Sequence, residues 1–215
     1  MFKTLLFFFS ISYILSNAQK QGNIWYFGQL AGLDFKNDTP IAIHSGKITF
    51  ATHNEGTACI SDSSGKIIMY TDGEKIWNRQ HNLMPNGIGL LGSYSTTQSS
   101  MIIPDPGNPN KFFYVFTLGS GYCCNAGGFA DGLRYSKVDI CIDSAKGDII
   151  SGQKNILLTN TLTEKLAAAR HRNGKDYWIL VHKYNTNRFY SYKLSATGIT
   201  SVISDIGSIH DGFTS

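Results

Sequence analysis

The side chains whose chemistry could exceed packing are a group of carboxylates, the histidines and the cysteines. Asp62, Asp72 and Glu74 fall within one short stretch. Two carboxylates flanking a bond supply the acid and base of glycoside hydrolysis. Both aspartates, however, stand in turn sequences, Asp62-Ser63-Ser64-Gly65 and Asp72-Gly73, where aspartate ordinarily bonds its own backbone. The histidines His44, His53, His81, His171, His182 and His210 are dispersed. Only His171 and His182, expected on neighbouring strands, could approach a shared metal, and cross-strand polar pairs are the commoner outcome. There is no glycine-rich phosphate loop and no GxSxG. No catalytic residue, metal or cofactor is assigned.

The four cysteines are Cys59, Cys123, Cys124 and Cys141. In an exported chain such residues can pair, and the expected staple joins Cys141 to Cys123 or Cys124, since connectivity is not deducible from sequence. Zinc is poorly served, because adjacent cysteines lack the two-residue spacing of a zinc knuckle. Cys59, on an inner strand, is expected to be a buried free thiol.

Binding draws on other residues. Trp25, Trp77 and Trp178 with Tyr122 offer ring faces for a sugar. Trp25 and Trp178 are expected in packing, whereas Trp77 lies among charged and amide neighbours, including Arg79. Trp77, Arg79 and Tyr122 are therefore the candidate ligand-binding residues. The longest insertions, residues 78–97 and 119–131, would carry the loop-rich face.

These residues are positioned by a repeated pattern. Residues 57–79 read as three short strands: Ala58–Ser61, Lys66–Thr71 and Glu74–Arg79, separated by the two aspartate-glycine turns. Consecutive Ile67-Ile68-Met69-Tyr70 suits a strand covered on both faces. The order returns as SSMIIP, DPGNPN, KFFYVFTL and GLRYSKVDICI over residues 99–142. It returns again as LAAARH, RNGK, DYWILVHKY and RFYSYKL over residues 166–194. Aligning Lys66, Lys111 and Lys175 gives spacings of 45 and 64 residues. The first is the length of one four-stranded propeller blade and the second adds inserted loops. Leu162–Arg170 is the best helix candidate, but the repeat makes it a turn followed by an alanine-rich inner strand, Leu166–His171. The fold class expected is all-β, a partial β-propeller of about three to four blades over residues 19–215. Ile206–His210 would open a further blade, so the expectation is a truncated domain with an unpaired edge.

Residues 1–18 carry one lysine, an apolar run from Leu5 to Leu15, and small residues at Ser16 and Ala18. That is the pattern of a cleavable export signal, too short to span a bilayer. Without it the chain has 18 basic against 15 acidic residues, scattered rather than clustered. Nucleic acid is an unsuitable partner, and no later segment is long and apolar enough to span a membrane. The 22 glycines, 11 tyrosines and 13 phenylalanines suit many short strands and turns.

Several stretches in order carry a family resemblance: Asn23–Phe35, Tyr70–Gly73, Ile76–Arg79, Met84–Gly87, Ser99–Pro104, Gly132–Ser136 and Thr163–Leu166. Together they resemble the N-terminal propeller-like region of large secreted surface proteins of gliding Gram-negative bacteria. Those proteins often continue into PKD modules and a type 9 secretion sorting domain. The resemblance implies an adhesin or binding scaffold at the cell surface, with a glycan or extracellular protein as ligand and its own downstream domains as partners. It brings no catalytic residues. Here the chain departs from the family by the Cys-Cys insertion and by stopping at Ser215. The rival expectation is a secreted propeller-type glycoside hydrolase acting on polysaccharide. Ser61–Tyr70 is similar to the aspartate box of sialidases, with the aspartate misplaced relative to Gly65.

Overall fold

The structure, a computed structural model, describes residues 20–49, 55–119 and 132–210. These residues are all-β apart from single helical turns, and form four small antiparallel sheets that follow one another along the chain. Sheet 1 is β1 (Ile24–Tyr26), β2 (Gly32–Asp34) and β3 (Ile41–Ile43). Sheet 2 is β4 (Ala58–Ser61), β5 (Ile67–Thr71), β6 (Lys75–Asn78) and β7 (Leu83–Ile88). Sheet 3 holds β8 (Ser100–Pro104), β9 (Phe112–Leu118), β10 (Leu133–Asp139) and β11 (Asp148–Ile149), with β12 (Ile156–Thr159) also on β10. Sheet 4 is β13 (Leu162–Arg170), β14 (Tyr177–Lys183), β15 (Thr186–Ser195) and β16 (Gly198–His210).

The turn chemistry explains the meanders. Asp62 Oδ1 accepts the N–H groups of Ser64 at 2.8 Å and Lys66 at 3.1 Å. Asp72 Oδ1 accepts those of Glu74 at 2.9 Å and Lys75 at 2.8 Å. Gly73 follows at φ +91°, a left-handed conformation that glycine adopts without a steric penalty.

Two expectations change. Ile206–His210 does not open another blade: it is the end of β16, which pairs with β15 from Gly198 to Asp205 and, after an irregularity, again at His210. The stretch 78–97 is also not wholly a loop, since its Leu83–Ile88 part is β7. Pro85 and Gly87 read as loop residues, yet an outermost strand tolerates proline because only one side of it must donate to the ladder.

Three apolar layers hold the sheets together. Ile24, Tyr26 and Ile48 meet Tyr70 and Trp77 between sheets 1 and 2. Met69, Ile76 and Met84 meet Phe113, Val115 and Val138 between sheets 2 and 3. Tyr114, Phe116, Leu118 and Leu133 meet Leu166, Ile179, Val181 and Leu194 between sheets 3 and 4. β9 therefore alternates, sending Phe113 and Val115 one way and Tyr114, Phe116 and Leu118 the other. Each such side chain contributes roughly 1.5–3 kcal/mol by leaving water.

Candidate functional site

A cleft of about 450 Å3 lies where β1, the segment entering β4 and the segment entering β8 come together. Its walls are Trp25–Phe27, Glu55–Cys59, Thr97, Gln98 and Ser100–Ile102. Side chains stitch these segments laterally to backbone. The Tyr26 N–H donates to Cys59 Sγ at 3.0 Å, and Thr57 Oγ1 donates to the Tyr26 carbonyl at 2.9 Å, joining β1 to β4. Ser99 Oγ donates to the carbonyls of Gly56 and Asp72, joining sheet 2 to sheet 3. A Cβ on Gly56 would collide with the Ser99 backbone nitrogen, so the approach requires glycine. Thr97 donates its N–H at 3.1 Å and its hydroxyl at 3.3 Å to Glu164 Oε2 on β13, reaching sheet 4.

The walls of the cleft mix chemistries. Trp25 is 48% exposed and Phe27 is also open to solvent. The Trp25 indole is held, because Nε1–H donates to the Gly22 carbonyl at 2.8 Å and the Phe35 ring lies 5.0 Å away. Gln98 donates Nε2–H to the Ser100 carbonyl at 3.1 Å. Glu55 contributes an exposed carboxylate. Among the described residues no lysine or arginine lines the cleft. Burial pushes the Cys59 thiol up to about 11, against the lowering effect of its bond to Tyr26.

The residues singled out in the sequence are spread over the molecule. Trp77 is 6% exposed and stacked on Tyr70 at 5.4 Å with an interplanar angle of 8°. It packs between sheets 1 and 2 and has no open face for a sugar, whereas Trp25, expected in packing, is the exposed tryptophan. Trp178 is half-buried, 5.8 Å from the His171 ring. Arg79 is exposed just after β6, outside the cleft walls. Tyr122, Cys123 and Cys124 lie outside the described residues, and so does the 119–131 insertion beyond its first residue. Cys141 is exposed with a free thiol, and Cys59 is free and half-buried.

The carboxylates do not converge. Asp62 and Asp72 cap opposite ends of β5, which as a five-residue strand spans about 17 Å. Burial raises the Asp62 carboxyl, but hydrogen bonds from Ser64 and Lys66 outweigh it and hold the group below its ordinary value. His171 lies in the turn between β13 and β14, whereas His182 is near the far end of β14 and packs edge-on against Phe189 at 4.5 Å. No cluster of three metal-ligating side chains exists among the described residues.

Sequence reasoning missed Glu55, Thr57, Thr97, Gln98 and Glu164. The available signal was positional, since each stands at or just before the first strand of its sheet, as in GTACIS, QSSMIIP and LTEKLAAAR. No protein-family model, curated protein or solved structure matches this chain. No helix among the described residues is long and apolar enough to cross a membrane.

Proposed function

We propose that the chain is an exported, non-catalytic binding or structural module of the β-propeller type. In this reading it is the N-terminal part of a cell-surface adhesion or gliding-associated protein. The observation that supports it best is the lateral stitching of first strands, Tyr26 to Cys59 and Thr57, Gly56 to Ser99, and Thr97 to Glu164. Successive blades around an axis need such neighbours on their inner strands. The outer strands agree, since Asn86 on β7 donates its backbone N–H at 2.8 Å to Asp148 on β11. The export-signal pattern read in residues 1–18 supports export, and the resemblance of the ordered motifs to those of secreted gliding-type proteins supports a surface role. A glycan or extracellular protein would then be the ligand, with downstream domains of the same protein as covalent partners.

The test uses the protein in its own cells. N-terminal sequencing is expected to give a mature chain starting near Gln19, and protease added to intact cells is expected to remove it. A chain kept inside the cell with its leader intact would overturn the reading. Polysaccharide turnover abolished by Asp72→Asn or Glu74→Gln would replace it with the hydrolase.

A further inference from the structure

We infer that the cleft between the first strands is a saccharide site, for a neutral sugar unit stacked on Trp25. The inference rests on the binding-module reading and assigns that reading a place and a ligand class. Three features of the cleft select this chemistry.

The first is the tryptophan. An exposed indole is usually mobile and weakly informative, but Trp25 is fixed through its Nε1–H on Gly22 and braced by Phe35 at 5.0 Å and Phe27 at 6.3 Å. Fixing a large, half-exposed ring removes the ordering entropy that a ligand would otherwise have to offset. A pyranose presents one face of C–H groups, the surface that packs flat on an aromatic ring.

The second feature is the polar side of the cleft. Gln98 is held by its bond to the Ser100 carbonyl, and Glu55 is an exposed residue of the lining. An amide and a carboxylate on a stable frame can meet the donor and acceptor hydroxyls at the rim of a sugar. The frame is stable because Thr57, Ser99 and Thr97 spend their hydroxyls on the backbone or on Glu164.

The third feature is charge. Glu55 lines the cleft and Glu164 is bonded to one of its wall residues, while no described lining residue is basic. A carboxylated or phosphorylated ligand would meet like charge without compensation. The volume, about 450 Å3, lies in the range of small-ligand sites. Uronic acids and phosphates are therefore disfavoured.

The experiment is calorimetric titration of the mature protein with cello-, malto- and N-acetylchitotetraose, and with tetragalacturonate as the acidic probe. At least one neutral tetraose is expected to bind and to quench tryptophan fluorescence, with tetragalacturonate at least tenfold weaker. Trp25→Ala is expected to weaken that binding at least tenfold, and Gln98→Ala several-fold, with both variants folded and thermal midpoints lowered by a few degrees at most, since Trp25 gives up its contacts with Gly22 and Phe35 but is already half in water. Trp25→Phe controls for folding and is expected to keep part of the affinity. Absence of binding by all three neutral probes, equal binding of tetragalacturonate, or affinity unmoved in Trp25→Ala would each overturn the assignment. In a protein found processed and surface-exposed, those results sink the site and leave the module reading intact. Retention of the unprocessed chain inside cells sinks both.

Discussion

β9 and β14 are the same kind of strand in sequence, FFYVFTL and YWILVHK, and they end in different surroundings. From Phe113 through Leu118 every side chain of β9 is buried, because sheets 2 and 4 cover its two faces. On β14, Ile179 and Val181 are buried against sheet 3, but Leu180 on the other face is 38% exposed. Its partner on β13, Ala167, is exposed too, and so is Val202 two strands away on β16. A continuous apolar run thus reports that both faces of a strand can be covered. Which faces are covered is decided by the neighbouring sheets.

The largest effect expected separates these two strands. Phe116→Ala should lower stability by about 3–5 kcal/mol through the cavity it leaves. Leu180→Ala should cost about 1 kcal/mol, because more than a third of its surface stays in water. Urea unfolding of both variants checks this, and equal costs would erase the distinction between middle and end sheets. An intermediate effect probes why sheets 2 and 3 stay together. Ser99→Ala leaves the Gly56 and Asp72 carbonyls short of a buried donor and should cost about 1–3 kcal/mol. A loss no larger than that of Leu180→Ala would show that the apolar layer suffices there.

The smallest effect is electrostatic. Burial, helped by the charge of Lys47, holds His81 below its ordinary value. A depressed folded-state value means that the unfolded chain takes up the proton first as pH falls. The His81 contribution is therefore present above about pH 6.5 and lost as acidity increases through the folded-state value. The urea midpoint should fall between pH 7.5 and pH 5.5, and by less in His81→Asn, which tolerates the left-handed φ of +62° at that position. In sheet 4 the Arg188–Asp205 pair, bonded at 2.7 and 2.9 Å, is exposed on both partners. Added salt should move stability little there.

Much of the fold was legible because turns and apolar runs act locally. Asp62-Ser63-Ser64-Gly65 and Asp72-Gly73 mark their turns by chemistry that needs no distant partner, and β4, β5 and β9 fall where those signals put them. The alanine-rich stretch is a strand, as the repeat required, but β13 starts at Leu162, where a turn was expected before Leu166. What escaped was non-local. β7 hides behind Pro85 and Gly87, and β11, with two residues, is too short for any periodicity. Ile206–His210 is the continuation of β16 beyond Gly198–Asp205, and the irregular pairing there, with Gly207 at φ +83°, concealed that continuity. The cleft was illegible for the same reason: Glu55, Gln98 and Glu164 are far apart in the chain, and only the packing of first strands brings their segments together. The tryptophans were misjudged because charged neighbours in sequence say little about which face of a sheet meets another.

The burial of Cys59 against the Tyr26 backbone has a redox consequence. With its pKa near 11, only about one Cys59 in ten thousand is thiolate at neutral pH. Oxidants and disulfide exchange act on the thiolate, so this sulfur stays reduced where an exposed cysteine such as Cys141 would react. A thiol so placed would persist under oxidising conditions, serving as a hydrogen-bond link between two sheets.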